Sequence, residues 1–253
     1  MFYTYITLLC VCVGISAQTR KRPAATARPT PSPTKTQAAI PDAVPVKPGT
    51  GAVQGGADKG VVTGRTYTNY ALGFEITFPD TWLIPGDDFE AVMKQWGFDL
   101  SLRAPDTLDP ITKARLNRSL ENVNVLLTAY RSMPGQPDNA IVRISAEDLS
   151  LDPQIVDAVD YLDAVRNAYS RMPLPDDFKY SETQAEALGV SQFGFLDTSS
   201  AGVKKRLYVT VRGRKAVLFT ITYTRAEDLE TFRRVLSSGN FKLNKRPDPL
   251  VVK

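Results

Sequence analysis

"LGFEITFPDTW", Leu72 to Trp82, is the stretch on which the rest of the sequence turns. Phe74, Ile76 and Phe78 alternate with Glu75 and Thr77, the period-two pattern of a strand with one buried face. Gly73 lets the chain turn into that strand, and Pro79 ends it because proline cannot donate to a ladder. "PDT" then supplies a turn before Trp82, which is expected as a buried anchor between sheet and helix rather than an exposed binding platform. A long, aromatic-poor segment precedes the stretch, so it also marks where a folded domain opens.

Upstream, residues 1–17 read as a secretory signal. The apolar run Ile6 to Ile15 is too short for a bilayer span, which needs roughly twenty apolar residues. "GISA" places small residues before a cleavage point after Ala17, and the n-region "MFYTY" draws its positive charge from the α-amino group alone. The expected location is therefore exported, periplasmic or extracellular. Both cysteines, Cys10 and Cys12, lie in this segment, so cleavage leaves a chain without thiols. Acylation at either would anchor the chain instead, although neither follows the small residue usual at such sites.

Residues 18–65 are rich in Pro, Ala, Thr and Gly, without hydrophobic periodicity. Such a segment cannot bury enough apolar area to offset its ordering entropy, and its prolines favour an extended spacer. It carries net charge +6, residues 66–243 carry −4, and residues 244–253 carry +2. The basic balance thus belongs to the tails. A basic arm can adsorb to an anionic membrane face or wall polymer, or simply keep the chain soluble.

The folded part is expected over 66–244, followed by a flexible tail over 245–253. Short helices are predicted over "DDFEAVMKQWG", with Asp87 or Asp88 at its start and Gly97 at its end, and over "DPITKARLNRSL", with Asp109 as N-cap. "NVNVLLTAY" and "AIVRISAEDL" read as strands. "DPQIVDAVDYLDAVRNAYSRMP" reads as a long helix capped by Asp152 and Pro153, with Ile155, Val159, Leu162, Val165, Tyr169 and Met172 as its apolar stripe. "FKYSETQAEAL" and "VSQFGFLDTSS" read as strands, and "KKRLYVTVRGRKAVLFTITY" as a long hairpin turning near Arg212-Gly213-Arg214. "AEDLETFRRVLSS" closes the domain as a helix. Runs of antiparallel strands with segregated helices define an α+β class.

The Tyr, turn and "LGFEITFPDTW" opening, the long central helix and the terminal "RLYVTVRGRKAVLFTITYTRAEDLETFRRVLSSGNFKL" together resemble the PsbP-like superfamily. Its members include the extrinsic photosystem II subunit, a nuclear-import factor and bacterial periplasmic proteins of the DcrB type. The resemblance implies an antiparallel sheet sandwiched between helices (α/β/α) and an accessory or binding role rather than catalysis. It implies no metal site here, because the photosystem subunit's metal-linked role partly involves histidine, which this chain lacks.

The absence of histidine also excludes Ser-His-Asp and Cys-His mechanisms, and His/Cys metal sites in the mature chain. No cofactor motif is present. The main candidate site is the basic hairpin of Lys204, Lys205, Arg206, Arg212, Arg214 and Lys215, with no acid between Asp197 and Glu227. It can bind an acidic protein or an anionic envelope component, or serve only to keep strand ends soluble. Nucleic acid is not expected of an exported, acidic domain. The acidic helix face of Asp152, Asp157, Asp160 and Asp163 lacks the looped spacing of calcium sites. Asp80 with Glu75, or Asp87 with Asp88, would serve a hydrolase only if they shared a cleft. "NRS" at Asn117 is read as a chance glycosylation pattern. The reading is thus an exported non-catalytic binding or accessory protein; an envelope hydrolase using carboxylates or a Ser/Lys pair, and a structural module of a larger assembly, are the alternatives.

Overall fold

The computed structural model describes residues 59–86, 88–95, 124–136, 138–172 and 174–243, together with parts of 109–117. The secretory signal, the possible acylation sites and most of the basic arm lie outside the described residues, as do Asp87, Gly97 and the tail.

A small sheet opens the domain: β1 (Val61–Thr63), β2 (Thr66–Asn69) and β3 (Phe74–Thr77), in that order and antiparallel. The alternation in β3 holds, with Phe74, Ile76 and Phe78 buried, and Gly73 enters the strand at φ 69°. Paired structure begins ahead of Thr66, inside the span expected as linker. β1 folds back through Gly64 onto β2, and the Tyr67 hydroxyl donates to the Lys59 carbonyl at 2.7 Å.

Helix α1 (Phe89–Gln95) packs Phe89 against Tyr130 at 5.6 Å between ring centroids. The expected second short helix is helical at its described residues, and Asp109 accepts from the Ile111 amide as an N-cap should. The large sheet comprises β4 (Asn124–Tyr130), β5 (Ile141–Asp148), β6 (Lys179–Tyr180), β7 (Gln184–Leu188), β8 (Ser191–Ser200), β9 (Val203–Arg212) and β10 (Lys215–Tyr223). Its order is β4-β5-β10-β9-β8-β6, with β7 also on β8, and every pair is antiparallel. The hairpin predicted at Arg212-Gly213-Arg214 is β9–β10. "FKYSETQAEAL" is broken into β6 and β7, which share the same neighbour.

Helix α2 (Ala158–Tyr169) covers one face of this sheet, packing on Leu196, Leu207, Val209 and Leu218. Gly194 lets it approach: a Cβ there would stand 3.0 Å from both Ala158 Cβ and Leu162 Cδ1. The expected start at Asp152 and Pro153 is wrong. The N-cap is Asp157, whose carboxylate accepts from the Val159 and Asp160 amides while Asp160 reaches back, a capping box. The stripe shifts accordingly. Tyr161, Leu162, Val165, Ala168 and Tyr169 are buried, whereas Val159 is exposed.

Helix α3 (Ala226–Ser238) and the small sheet cover the other face. There Phe74, Phe193, Phe219 and Phe241 form a four-ring cluster, with centroid separations from 5.1 Å (Phe193–Phe241) to 6.0 Å (Phe74–Phe241). Trp82 is buried in the same core, against Phe78. The architecture is therefore α+β, an antiparallel sheet between helices.

The β8–β9 turn carries a local fault. Ala201 and Gly202 both have positive φ, 51° and 78°, the pattern of a type I′ turn. A left-handed alanine is strained by about 1–2 kcal/mol. Ala201→Gly should therefore stabilise the domain by about 1 kcal/mol, after the entropy cost of glycine. Urea denaturation checks this, and an unchanged or lower midpoint would contradict it.

Candidate partner surface

Strand alternation divides the six hairpin cations. Along β9, Lys204, Arg206 and Arg212 share the α3-side face with Tyr208, whereas Lys205 points with Leu207 toward α2. Lys204 and Arg212 stand at opposite ends of the strand, about 26 Å apart at strand rise. The hairpin is not a single basic patch.

Most of these cations serve the fold. Arg206 grips the Asp197 carboxylate with both arms, at 2.7 and 2.6 Å, and lies 4.2 Å over the Phe195 ring. Burial opposes its charge, but the Asp197 carboxylate and the Tyr208 hydroxyl overcome this and raise its pKa. Tyr208 donates to Glu186 at 2.8 Å, and Arg233 of α3 pairs with Glu186 and Glu230. This chain of charges fastens β7, β8 and β9 to α3. Arg212 donates to the carbonyls of Gly73 (3.3 Å) and Phe241 (2.8 Å) and sits over the Phe241 ring. Arg214 donates to those of Leu149 (2.7 Å) and Ser150 (3.0 Å). Lys215 is the cross-strand partner of Asp148, and Lys205 is buried between Thr198 and Thr222 in register.

Lys204 differs. It is exposed, between Tyr223 of β10 and Ser199 of β8, and the partner of Ser199 on the far side is the exposed Lys179. Direct cross-strand partners share a face, so Lys179, Ser199 and Lys204 form one row across β6, β8 and β9. They line an open groove of about 290 Å³ with Asp177, Ser200, Ala201 and Gly202. Asp177 is satisfied internally by the Ser200 hydroxyl and the Ala201 amide, which hold its pKa below the usual range. Sequence reasoning missed Lys179, because only the register of β6 on β8 places it there. Ser199 opposite Lys204 is a Ser/Lys juxtaposition, but no large apolar side chain lines the groove to exclude water. Its chemistry suits binding a group at the surface.

Of the carboxylates considered for hydrolysis, Asp87 lies outside the described residues, and Glu75 and Asp80 have separate partners. Glu75 accepts from Thr68 at 2.8 Å, while Asp80 is fully exposed beside Arg65. On the acidic helix, Asp157 and Asp160 form the capping box, Asp152 is buried, and Asp163 accepts from Thr183 at 2.6 Å. Asn117 lies in a helical turn. Among the described residues, no group of three or more carboxylates, His or Cys could hold a metal. Among the described residues Glu147 is the carboxyl shifted furthest upward: burial raises its pKa to about 7, partly offset by the Tyr161 hydroxyl at 2.6 Å. A second open groove, about 420 Å³ between β3 and α3, contains Arg234 as its charged residue. Among the described residues no helix is long and apolar enough to cross a membrane.

No family model and no curated protein matches the sequence. Solved structures do. A protein from Bacteroides thetaiotaomicron is 13% identical over 74% of this chain, at TM-score 0.35, and the chain spans 50% of that protein. PsbP (CyanoP) of the cyanobacterium Synechocystis sp. PCC 6803 is 12% identical, covering 70% of this chain and 91% of its own, at TM-score 0.38. LpqN of Mycobacterium tuberculosis, involved in cell envelope biogenesis, is 12% identical, covering 66% of this chain and 82% of its own, at TM-score 0.35. The α+β architecture rests on the chain's own strand order, and a solved PsbP is among the structures it is similar to.

Proposed function

We propose that the chain is an exported, non-catalytic binding or accessory protein of the cell envelope, which meets an acidic partner through the Lys179–Ser199–Lys204 row. The observation that carries this reading is the division of the cations. Arg206, Arg212 and Arg214 hold the fold together, whereas Lys179 and Lys204 flank an exposed groove. The leader-like N-terminus and the basic, proline-rich arm support an envelope setting, with the arm as spacer and as a second contact for anionic surfaces.

Lys179→Glu with Lys204→Glu tests the proposal without touching the core. Retention on envelope fractions is expected to fall about tenfold, and added salt should weaken wild-type retention in the same way. Retention equal to wild type at low salt would defeat the assignment. Reversing Lys205 or Arg206 is no test, because one is buried and the other would leave Asp197 unpaired.

A further inference from the structure

We propose that the segment Leu149–Val159 is a preformed docking knob for a protein partner that offers an apolar cleft edged by Lys or Arg. Three large aliphatic side chains stand in solvent there: Leu151 is 86% exposed, Val156 74% and Val159 41%. Their backbone is pinned. Arg214 donates to the Leu149 and Ser150 carbonyls, and the Leu149 amide returns a bond to the Arg214 carbonyl at 2.7 Å. Asp148 accepts from the Ser150 amide at 2.7 Å, and turns close from Asp152 to Leu149 and from Ile155 to Asp152. The Val156 amide donates to Asp160 at 3.0 Å. The buried side chains Leu149 and Ile155 root the loop in the core beneath α2.

Val156 has a specific reason to be unpaired. It precedes the N-cap, where an apolar residue usually packs on the fourth helical residue as a hydrophobic staple. That residue is Tyr161, which is fully buried and bonded to Glu147, while Val156 stays outside. A rigid loop that displays apolar side chains has already met the ordering cost of binding.

Charge identifies the occupant. Asp148, Asp152, Asp157 and Asp160 lie within or directly beside the segment, the first and last two exposed, against the cations Arg214 and Lys215 that face Asp148, so the local balance stays acidic. Those carboxylates repel an anionic lipid surface and complement a cleft with a basic rim. This surface lies on the α2 side of the sheet, away from the face that carries Lys179 and Lys204, so it does not depend on the binding role proposed for them.

The test uses the full chain in its native host, with a photoreactive amino acid in place of exposed Gln154, between Leu151 and Val156. A matched chain carries it at Val190, 74% exposed in the β7–β8 turn. The expected result is a discrete adduct with another protein from position 154 and none from 190. Leu151→Ser with Val156→Ser should cut that adduct roughly tenfold or more, since each buried aliphatic is worth about a decade in affinity. Both side chains are exposed, so the melting temperature should not move. Adducts equal from both positions, an adduct unaffected by the serines, a lipid adduct, a self-dimer or no adduct would each overturn the proposal.

Discussion

Phe219→Ala is expected to remove about 3–5 kcal/mol of stability, a large share of the whole for a domain of this size. Phe219 lies on β10, the strand between β5 and β9, and is fully buried. Its ring meets Phe74 at 5.2 Å and 73°, Phe193 at 5.9 Å and 90°, and Phe241 at 5.8 Å and 79°. Edge-on contacts of this kind add about 0.5–1.5 kcal/mol beyond area burial. Those three partners come from β3, β8 and the segment after α3, so truncation opens a void where both sheets and the C-terminal segment meet. Urea denaturation followed by tryptophan fluorescence reads the effect. A loss below about 1.5 kcal/mol would mean that the core collapses onto the void or that the cluster is not the keystone.

The second large effect depends on pH. Burial raises the Glu147 pKa from 4.5 to about 7. Below pH 4.5 both folded and unfolded chains hold this proton, and its contribution to stability is fully present. Between 4.5 and 7 the unfolded chain gives up the proton first, so stability falls as pH rises and levels off above 7. The shift corresponds to roughly 3 kcal/mol at 1.36 kcal/mol per pH unit. Glu147→Gln keeps an acceptor for the Tyr161 hydroxyl without the ionisation. At pH 8.5 the variant should be more stable than wild type by that amount, and at pH 4 no more stable. Paired urea titrations decide the matter, because subtraction removes the carboxyls common to both chains. A variant less stable than wild type at pH 8.5 would show that the carboxylate is welcome where it sits.

Elements whose signal is local could be read from sequence. β3, the β9–β10 hairpin and α3 appear where alternation or helical spacing places them, because each pattern reports a face buried along its whole length. The start of α2 could not. Asp152 and Pro153 mimic a helix start, but Arg214, distant in sequence, fastens the Leu149–Ser150 backbone and holds that loop out of helix. β1 was hidden because Val61-Val62-Thr63, three residues between Gly60 and Gly64, are too few to show alternation, and only pairing with β2 makes them a strand. The candidate site was legible as charge and not as direction. The acid-free interval after Asp197 looked like unopposed positive charge, yet Asp197 is itself the cross-strand partner of Arg206. Lys179 joins Lys204 through register across two strand pairs, which no short-range pattern encodes.

The bridge that pairs Glu75 with Asn240, and Arg212, which reaches both the Gly73 carbonyl 139 residues away and the Phe241 carbonyl, tie β3 to the last segment of the domain. Phe74 meets Tyr67 of the neighbouring β2, but its other ring partners lie in β10 and beyond α3. β3, made early, is therefore among the last strands to be completed. Contacts of such span impose their loop-closure cost before any reward, which slows folding and delays it until nearly all of the domain is synthesised. A nascent chain of this design stays open and threadable for most of its emergence.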